Sequence, residues 1–294
     1  MTTHYSWTQS KSNTFILTVL FFCLNSFAFS SSLHCNLDYS NNIDETLTSQ
    51  SYVIAQGTLI TDATGIKKSI DLHDYRNFKL NLATTSILKG DINSGDIIEI
   101  NYSTRPVQLR PCAESILQLD LNQVIVFLKE VIINNKKEYF FVASTFAISE
   151  SSNQKATNLK KVINKQYNFL QNFDSNFKIK DETTHQVVLS LINNLQREDT
   201  QDRAFDELLK LDKSAVPSII FAMDNYSQLS NSQFKLPTSS GYVKTYHPDL
   251  VVDALAIVLN TITGKHYGYI YNGATDTERA QTISAWKTYL INES

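Results

Sequence analysis

The hydrophobic period of this chain changes once along its length, and that change limits what the chain can fold into. Between about residues 35 and 147, apolar and polar residues alternate, as around Ile98 and Ile100. This period of two is typical of a strand with one buried face. From about residue 181, apolar residues recur at helical spacing, as at Val188, Leu191 and Leu195. We therefore expect a β domain followed by an α domain.

Five short segments in the first half favour strands, with turn residues between them. They are Ser51–Ile60, Phe78–Leu88, Asp96–Tyr102, Gln123–Leu128 and Tyr139–Phe146. Gly57 lies inside the first segment, where a glycine often marks a bulge or a barrel bend. Several short strands separated by turns predict a small barrel or sandwich.

The second half begins after a polar stretch, residues 149–180, which is rich in Ser and Asn and lacks Gly and Pro. We interpret it as a connector with some packing. Beyond it, helices are predicted around Val187–Leu195, Ala204–Leu211, Asp249–Thr263 and Thr277–Ile291. Pro217 fits the first turn of another helix, where its missing N–H is tolerated.

The N-terminus has the features of a secretory signal. Thr14–Phe29 is apolar but shorter than the ~20 residues that a membrane-spanning helix needs. Small residues follow at once and predict cleavage after Ala28 or Ser30. We expect residues 1–30 to be removed and the mature protein to be periplasmic or secreted, with no membrane span after cleavage. An uncleaved anchor is the alternative.

Cysteine usage is consistent with export. The chain has three cysteines, and Cys23 would leave with the signal. Cys35 and Cys112 remain as a pair in an oxidising compartment, which predicts a disulfide. The bond would close a loop of 78 residues, for which chain entropy gives about 4–5 kcal/mol as an upper value. Two free thiols are the alternative, and neither cysteine has metal-ligand spacing to a second Cys or His.

The order of elements in the first half resembles that of a known module. The matching residues are Cys35, Val53–Ile60, Ser86–Asp91, Ile97–Ile100, Cys112 and Val124–Leu128. This order is similar to the netrin-like module, the OB-type barrel shared with tissue inhibitors of metalloproteinases. The resemblance implies a small OB-like β-barrel over residues 31–148. Metal-chelating protease inhibition does not transfer, because Cys35-Asn36-Leu37 lacks the second cysteine of the inhibitors' Cys-x-Cys.

The second half also resembles a known repeat. Arg203–Asp224 contains Ala215-Val216-Pro217 followed by Ile219 and Ile220, and this segment is similar to a HEAT-type repeat. Asp249–Thr263 is a second candidate unit. The resemblance implies a short HEAT-like helical domain over residues 181–294, smaller than solenoids that need three or more repeats.

No pattern in the sequence predicts catalysis, a metal site or a cofactor. A net charge of -3 does not favour nucleic-acid binding. No histidine lies in a metalloprotease motif, and there is no G-x-S-x-G or P-loop. A hydrolase with a dispersed site between the domains remains an alternative if His73, His247 or His266 converge on an acid and a nucleophile.

Two tyrosine-rich segments form the candidate binding surface. Tyrosine supplies contact area at low entropic cost, and inter-helix loops often carry binding. The candidate residues are Tyr242, Tyr246, His247, Tyr267, Tyr269 and Tyr271. The alternative is that these rings pack on each other. We expect an exported, non-enzymatic binding or accessory protein with a protein, peptide or glycan partner. Inhibition of a secreted protease through the barrel rim is a further alternative.

Overall fold

The computed structural model describes residues 41–60, 79–101, 122–142, 148–237, 243–268 and 270–292. Within these ranges, the first half contains helix α1 and six strands. Their bounds are α1 (Asn41–Gln50), β1 (Val53–Leu59), β2 (Lys79–Lys89), β3 (Ile97–Asn101), β4 (Val124–Ile133), β5 (Lys136–Phe141) and β6 (Ile148–Glu150). The expected signal segment and the cysteines Cys35 and Cys112 lie outside the described residues.

Five of these strands close into a barrel. Their order is β1-β2-β3-β5-β4, and β4 pairs back with β1. The β3–β5 contact is parallel, whereas β1–β2, β2–β3, β4–β5 and β1–β4 are antiparallel. This is the five-stranded architecture of an OB-type barrel. The expected β + α fold, a small barrel followed by helices, is confirmed.

The barrel interior follows from the alternation in the sequence. Leu82 of β2 lies opposite Leu59 of β1 and Ile98 of β3, and all three are buried. Gly57 sits at a register shift between β1 and β2. A Cβ there would lie 2.2 Å from the carbonyl oxygen of Ala83, so only glycine allows the two strands to approach this closely.

Helix α2 (Asn153–Gln171) occupies most of the predicted connector. Ser152 caps its start by accepting a hydrogen bond from the backbone N–H of Lys155. Leu159 of α2 and Leu47 of α1 belong to the same buried cluster as the barrel strands. Helix α1 also packs against α2 and against the last long helix of the chain. Residues 149–180 therefore make packing contacts that join the barrel to the helices.

The elements described after β6 and α2 are helices, together with one hairpin. They are α3 (Phe173–Asn176), α4 (Glu182–Asn194), α5 (Gln201–Leu209), α6 (Val216–Phe221), β7 (Phe234–Pro237), β8 (Val243–Tyr246), α7 (Val251–Thr263) and α8 (Asp276–Tyr289). Pro217 lies in the first turn of α6, as predicted. Helix α7 is buried from Val251 to Asn260, so it forms the centre of the second core. None of the described helices is both long and apolar enough to cross a membrane.

Lys89 joins the barrel to α1. Its Nζ donates to the backbone carbonyl of Thr48 at 2.7 Å, in the last turn of α1. Burial lowers the pKa of Lys89 from 10.5 to about 8, because removal from water disfavours the charged form.

This burial predicts a pH dependence of stability. Between pH 8 and 10.5 the unfolded chain holds the Lys89 proton more often than the folded chain. The free energy of unfolding should therefore rise with pH across that window. Urea unfolding at several pH values should show a shallower rise for Lys89→Met than for wild type. Lys136→Met, at an exposed position of β5, controls for loss of a lysine. Equal slopes for wild type and Lys89→Met would contradict the prediction.

Candidate functional site

The helical region contains a cleft between α7 and strand β8. Its volume is about 390 Å³, within the range of small-ligand sites. It is lined by Lys244, Tyr246, Ile257, Asn260, Thr261, His266 and Tyr271. We call it the α7–β8 cleft. An open cleft with an apolar floor and several polar groups is suited to binding part of a larger partner.

Three elements bring these residues together. Helix α7 ends at Gly264, which caps it in the left-handed conformation with φ 68°, and the following loop turns back along the helix. The backbone N–H of His247, just after β8, donates to the carbonyl of Tyr271 at 3.1 Å and to Asn272 Oδ1 at 2.8 Å. These bonds hold β8 beside the loop. The rings of Tyr246 and Tyr271 then meet edge to face, with centroids 5.5 Å apart.

A chain of polar groups forms the cleft wall. Asn260 Nδ2 donates to the Tyr271 hydroxyl at 2.9 Å, and that hydroxyl lies 3.4 Å from His266 Nδ1. Burial lowers the pKa of His266, and the nearby positive charge of Lys244 lowers it further. Both effects favour the neutral imidazole. Gln50 of α1 donates to the backbone carbonyl of His266, so the barrel-side helix also contacts this wall.

The charge at the cleft is positive. Lys244 lines it, and the ammonium group makes no hydrogen bond or ion pair within the part of the chain that the structure describes. Lys265 is exposed beside His266 and likewise pairs with no carboxylate among the described residues. No Asp or Glu is among the described residues that line the cleft. This arrangement favours an acidic group on whatever binds there.

The structure brings some of the predicted binding residues to this cleft and places others elsewhere. Tyr246 and Tyr271 line it, and His247 is exposed at its edge. Tyr267 is buried, with its ring centroid 4.7 Å from that of Trp286, so it packs in the core. Tyr242 and Tyr269 lie outside the described residues, as does His73.

Sequence reasoning missed four lining residues: Lys244, Ile257, Asn260 and Thr261. Lys244 lies inside one of the tyrosine-rich segments, and Asn260 breaks the apolar run of α7. Both residues could therefore have been noticed in the sequence as candidate site residues. No sequence pattern placed α7 beside the hairpin, so their common site could not be recognised.

A separate charged cluster lies in the barrel. In the barrel, the buried carboxylate of Glu130 lies opposite Tyr139 and 3.2 Å from Lys137 Nζ. Burial raises the pKa of Tyr139, and the charge of Glu130 raises it further. Within the described ranges, no group of three or more His, Cys, Asp or Glu side chains is placed to hold a metal ion.

Comparison with known proteins adds no assignment. The chain matches no protein-family model, no curated protein and no solved structure. The geometry of the cleft is therefore the basis for proposing a function.

Proposed function

We propose that this chain is an exported binding or accessory protein, not a catalyst, and that its α7–β8 cleft holds an acidic partner. The observation that carries the proposal is that Lys244 lines a cleft together with Tyr246, Tyr271 and the apolar side chain of Ile257. His266 and the hydroxyl of Tyr271 supply polar contacts without competing negative charge. Such a lining combines contact area with charge complementarity.

Export and module identity are parts of the same proposal. Thr14–Phe29 and the small residues after it support a cleaved signal, and a Cys35–Cys112 bond would suit an oxidising compartment. The barrel-plus-helices arrangement agrees with netrin-like and HEAT-like modules, and modules of both kinds act mainly as interaction scaffolds. Fold alone does not assign function, so the cleft is the part to test.

Binding of charged probes tests the proposal. The probes are a fluorescein-labelled hexapeptide of alternating Asp and Val, an oligogalacturonate, and their uncharged counterparts, measured by fluorescence anisotropy at low and moderate salt. We expect an acidic probe to bind better than its uncharged counterpart. Lys244→Gln should weaken acidic binding about three- to fivefold, the effect of one exposed charge contact, and should reduce its salt dependence.

The matched control is Lys213→Gln, an exposed lysine in the helical region that does not line the cleft. It should bind as wild type does. Equal affinity of Lys244→Gln and wild type for every acidic probe would overturn the proposal. Turnover of an ester, glycoside or peptide substrate that is lost with Lys244→Gln would favour the hydrolase alternative.

A further inference from the structure

Strand β8 has one edge that pairs with β7 and one edge that pairs with no other strand among the described residues; we call the second the open edge. Thr245 lies opposite Lys235, and Val243 lies opposite Pro237. Along a strand in an antiparallel pair, the N–H and carbonyl of one residue point to one edge and those of the next residue point to the other edge. The N–H of His247 points away from β7, since it donates to Tyr271. Residues 243 and 245 share that direction.

The position of Pro237 is consistent with these backbone directions. Proline has no N–H to donate, and it lies opposite Val243, whose N–H and carbonyl are directed to the far edge. Within the described residues, nothing hydrogen-bonds to the backbone of Val243 or Thr245 at that edge. The edge therefore presents two N–H and two carbonyl groups at strand spacing.

The open edge lies beside the α7–β8 cleft. Tyr271 flanks it at the His247 end through the backbone hydrogen bond. Side chains alternate across β8, so Lys244 and Tyr246 face the helix while Val243 and Thr245 face outward. An added strand would run past Lys244, and every second side chain would reach the cleft toward Ile257.

We propose that the open edge of β8 binds an extended acidic peptide segment as a third strand. This inference rests on the proposed function, and it names the class of partner and the way it binds. Backbone pairing supplies affinity and the cleft receives alternate side chains, as in other β-strand additions. A carboxylate on the peptide meets Lys244, which has no ionic partner in the described part of the chain.

The charges on the hairpin argue against self-pairing. Lys235 and Lys244 lie on the two strands, and lysine on an edge strand discourages pairing with a second copy of the same edge. Val243 is 60% exposed, so one apolar side chain is open to a partner. A glycan has no row of amide donors and acceptors at strand spacing, and the peptide is therefore the occupant that this edge fits.

Thr245→Pro tests the proposal in the full chain. It removes the outward N–H and leaves the bonds to β7 in place, because edge strands tolerate proline where its N–H would face solvent. The probe is the Asp/Val hexapeptide. We expect at least a tenfold loss of affinity with Thr245→Pro and no loss with Thr245→Val, which keeps the N–H and the β-branched shape.

A second measurement does not depend on the folding of the variant. In the wild-type protein, the hexapeptide should slow hydrogen exchange of the Thr245 amide several-fold. It should not change the exchange rate around Lys136, an exposed position of β5. Unchanged Thr245 exchange with the peptide bound would overturn strand addition.

The outcomes separate the two proposals. If Thr245→Pro binds the peptide as wild type does while Lys244→Gln binds it less well, strand addition is wrong and the acidic cleft stands. If oligogalacturonate binds and the peptide does not, the peptide assignment is wrong. If neither acidic probe binds, the proposed function itself fails.

Discussion

Arg279→Met should destabilise the helical region by about 3–5 kcal/mol, the usual effect of leaving a buried charge without its partner. The carboxylate of Asp253, in the first turn of α7, is completely buried. Arg279 of α8 donates to both its oxygens, at 2.8 and 2.9 Å. The same carboxylate accepts the backbone N–H groups of Asp249 and Leu250. One ion pair thus joins the start of α7 to α8, and methionine would fill the space without supplying the charge.

Urea unfolding followed by circular dichroism measures this loss. Arg197→Met is the matched control, since Arg197 pairs with Asp199 but its side chain is 64% exposed. Exposed pairs contribute about 1 kcal/mol or less. Similar losses in the two variants would show that the Asp253–Arg279 pair is not the strong contact that its burial implies.

Trp286→Ala should also lower the free energy of unfolding by about 3–5 kcal/mol, as truncation of a large core side chain does. Trp286 of α8 has no exposed surface. The centroid of its ring lies 4.7 Å from the ring centroid of Tyr267 and 5.8 Å from that of Tyr289. Tyr267 directly follows His266 of the cleft wall, so the cavity left by the variant should also weaken binding of the acidic probes.

Two variants sharpen this result. Tyr167→Ala removes an aromatic ring that is 60% exposed on α2 and should change stability by less than about 0.5 kcal/mol. Trp286→Phe keeps most of the ring, and the indole N–H that it removes has no hydrogen-bond partner among the described residues. It should therefore lose less stability than Trp286→Ala. Equal thermal stability of Trp286→Ala and wild type would contradict the predicted core role.

The barrel strands were predicted correctly where the hydrophobic pattern of a segment matches the burial of its residues in the structure. The run Val124–Leu128 is apolar at every position, and the structure buries all five residues. A strand covered on both sides has an uninterrupted apolar sequence because neither of its faces meets water. Helix α7 was found for the same reason, since the burial of Val251 to Asn260 reflects its central position.

Helix α1 and the β7–β8 hairpin are among the elements that were missed, because their sequences carry little periodic signal. Helix α1 is mostly polar, and among its described side chains Leu47 is the one that belongs to the buried barrel cluster. Contacts with α2 and α8 stabilise it more than propensity does. The β7–β8 hairpin has four residues per strand, too few for alternation to be distinguished from a loop. It is held by distant contacts, such as that of Phe234 on Phe205, with ring centroids 4.1 Å apart.

The sequence by itself determined the class of each half, because the period of its apolar residues reports which faces must leave water. It also contained Tyr246 and Tyr271, the two aromatic walls of the site. Only the tertiary structure decided that those walls share a cleft with Asn260 and Ile257 of α7, and that Lys244 of β8 lines the same cleft. The spacing of apolar residues indicates which face of a helix or strand is buried. It does not indicate which other element packs against that face. A cleft formed by residues far apart in the chain therefore exists only once the elements have packed.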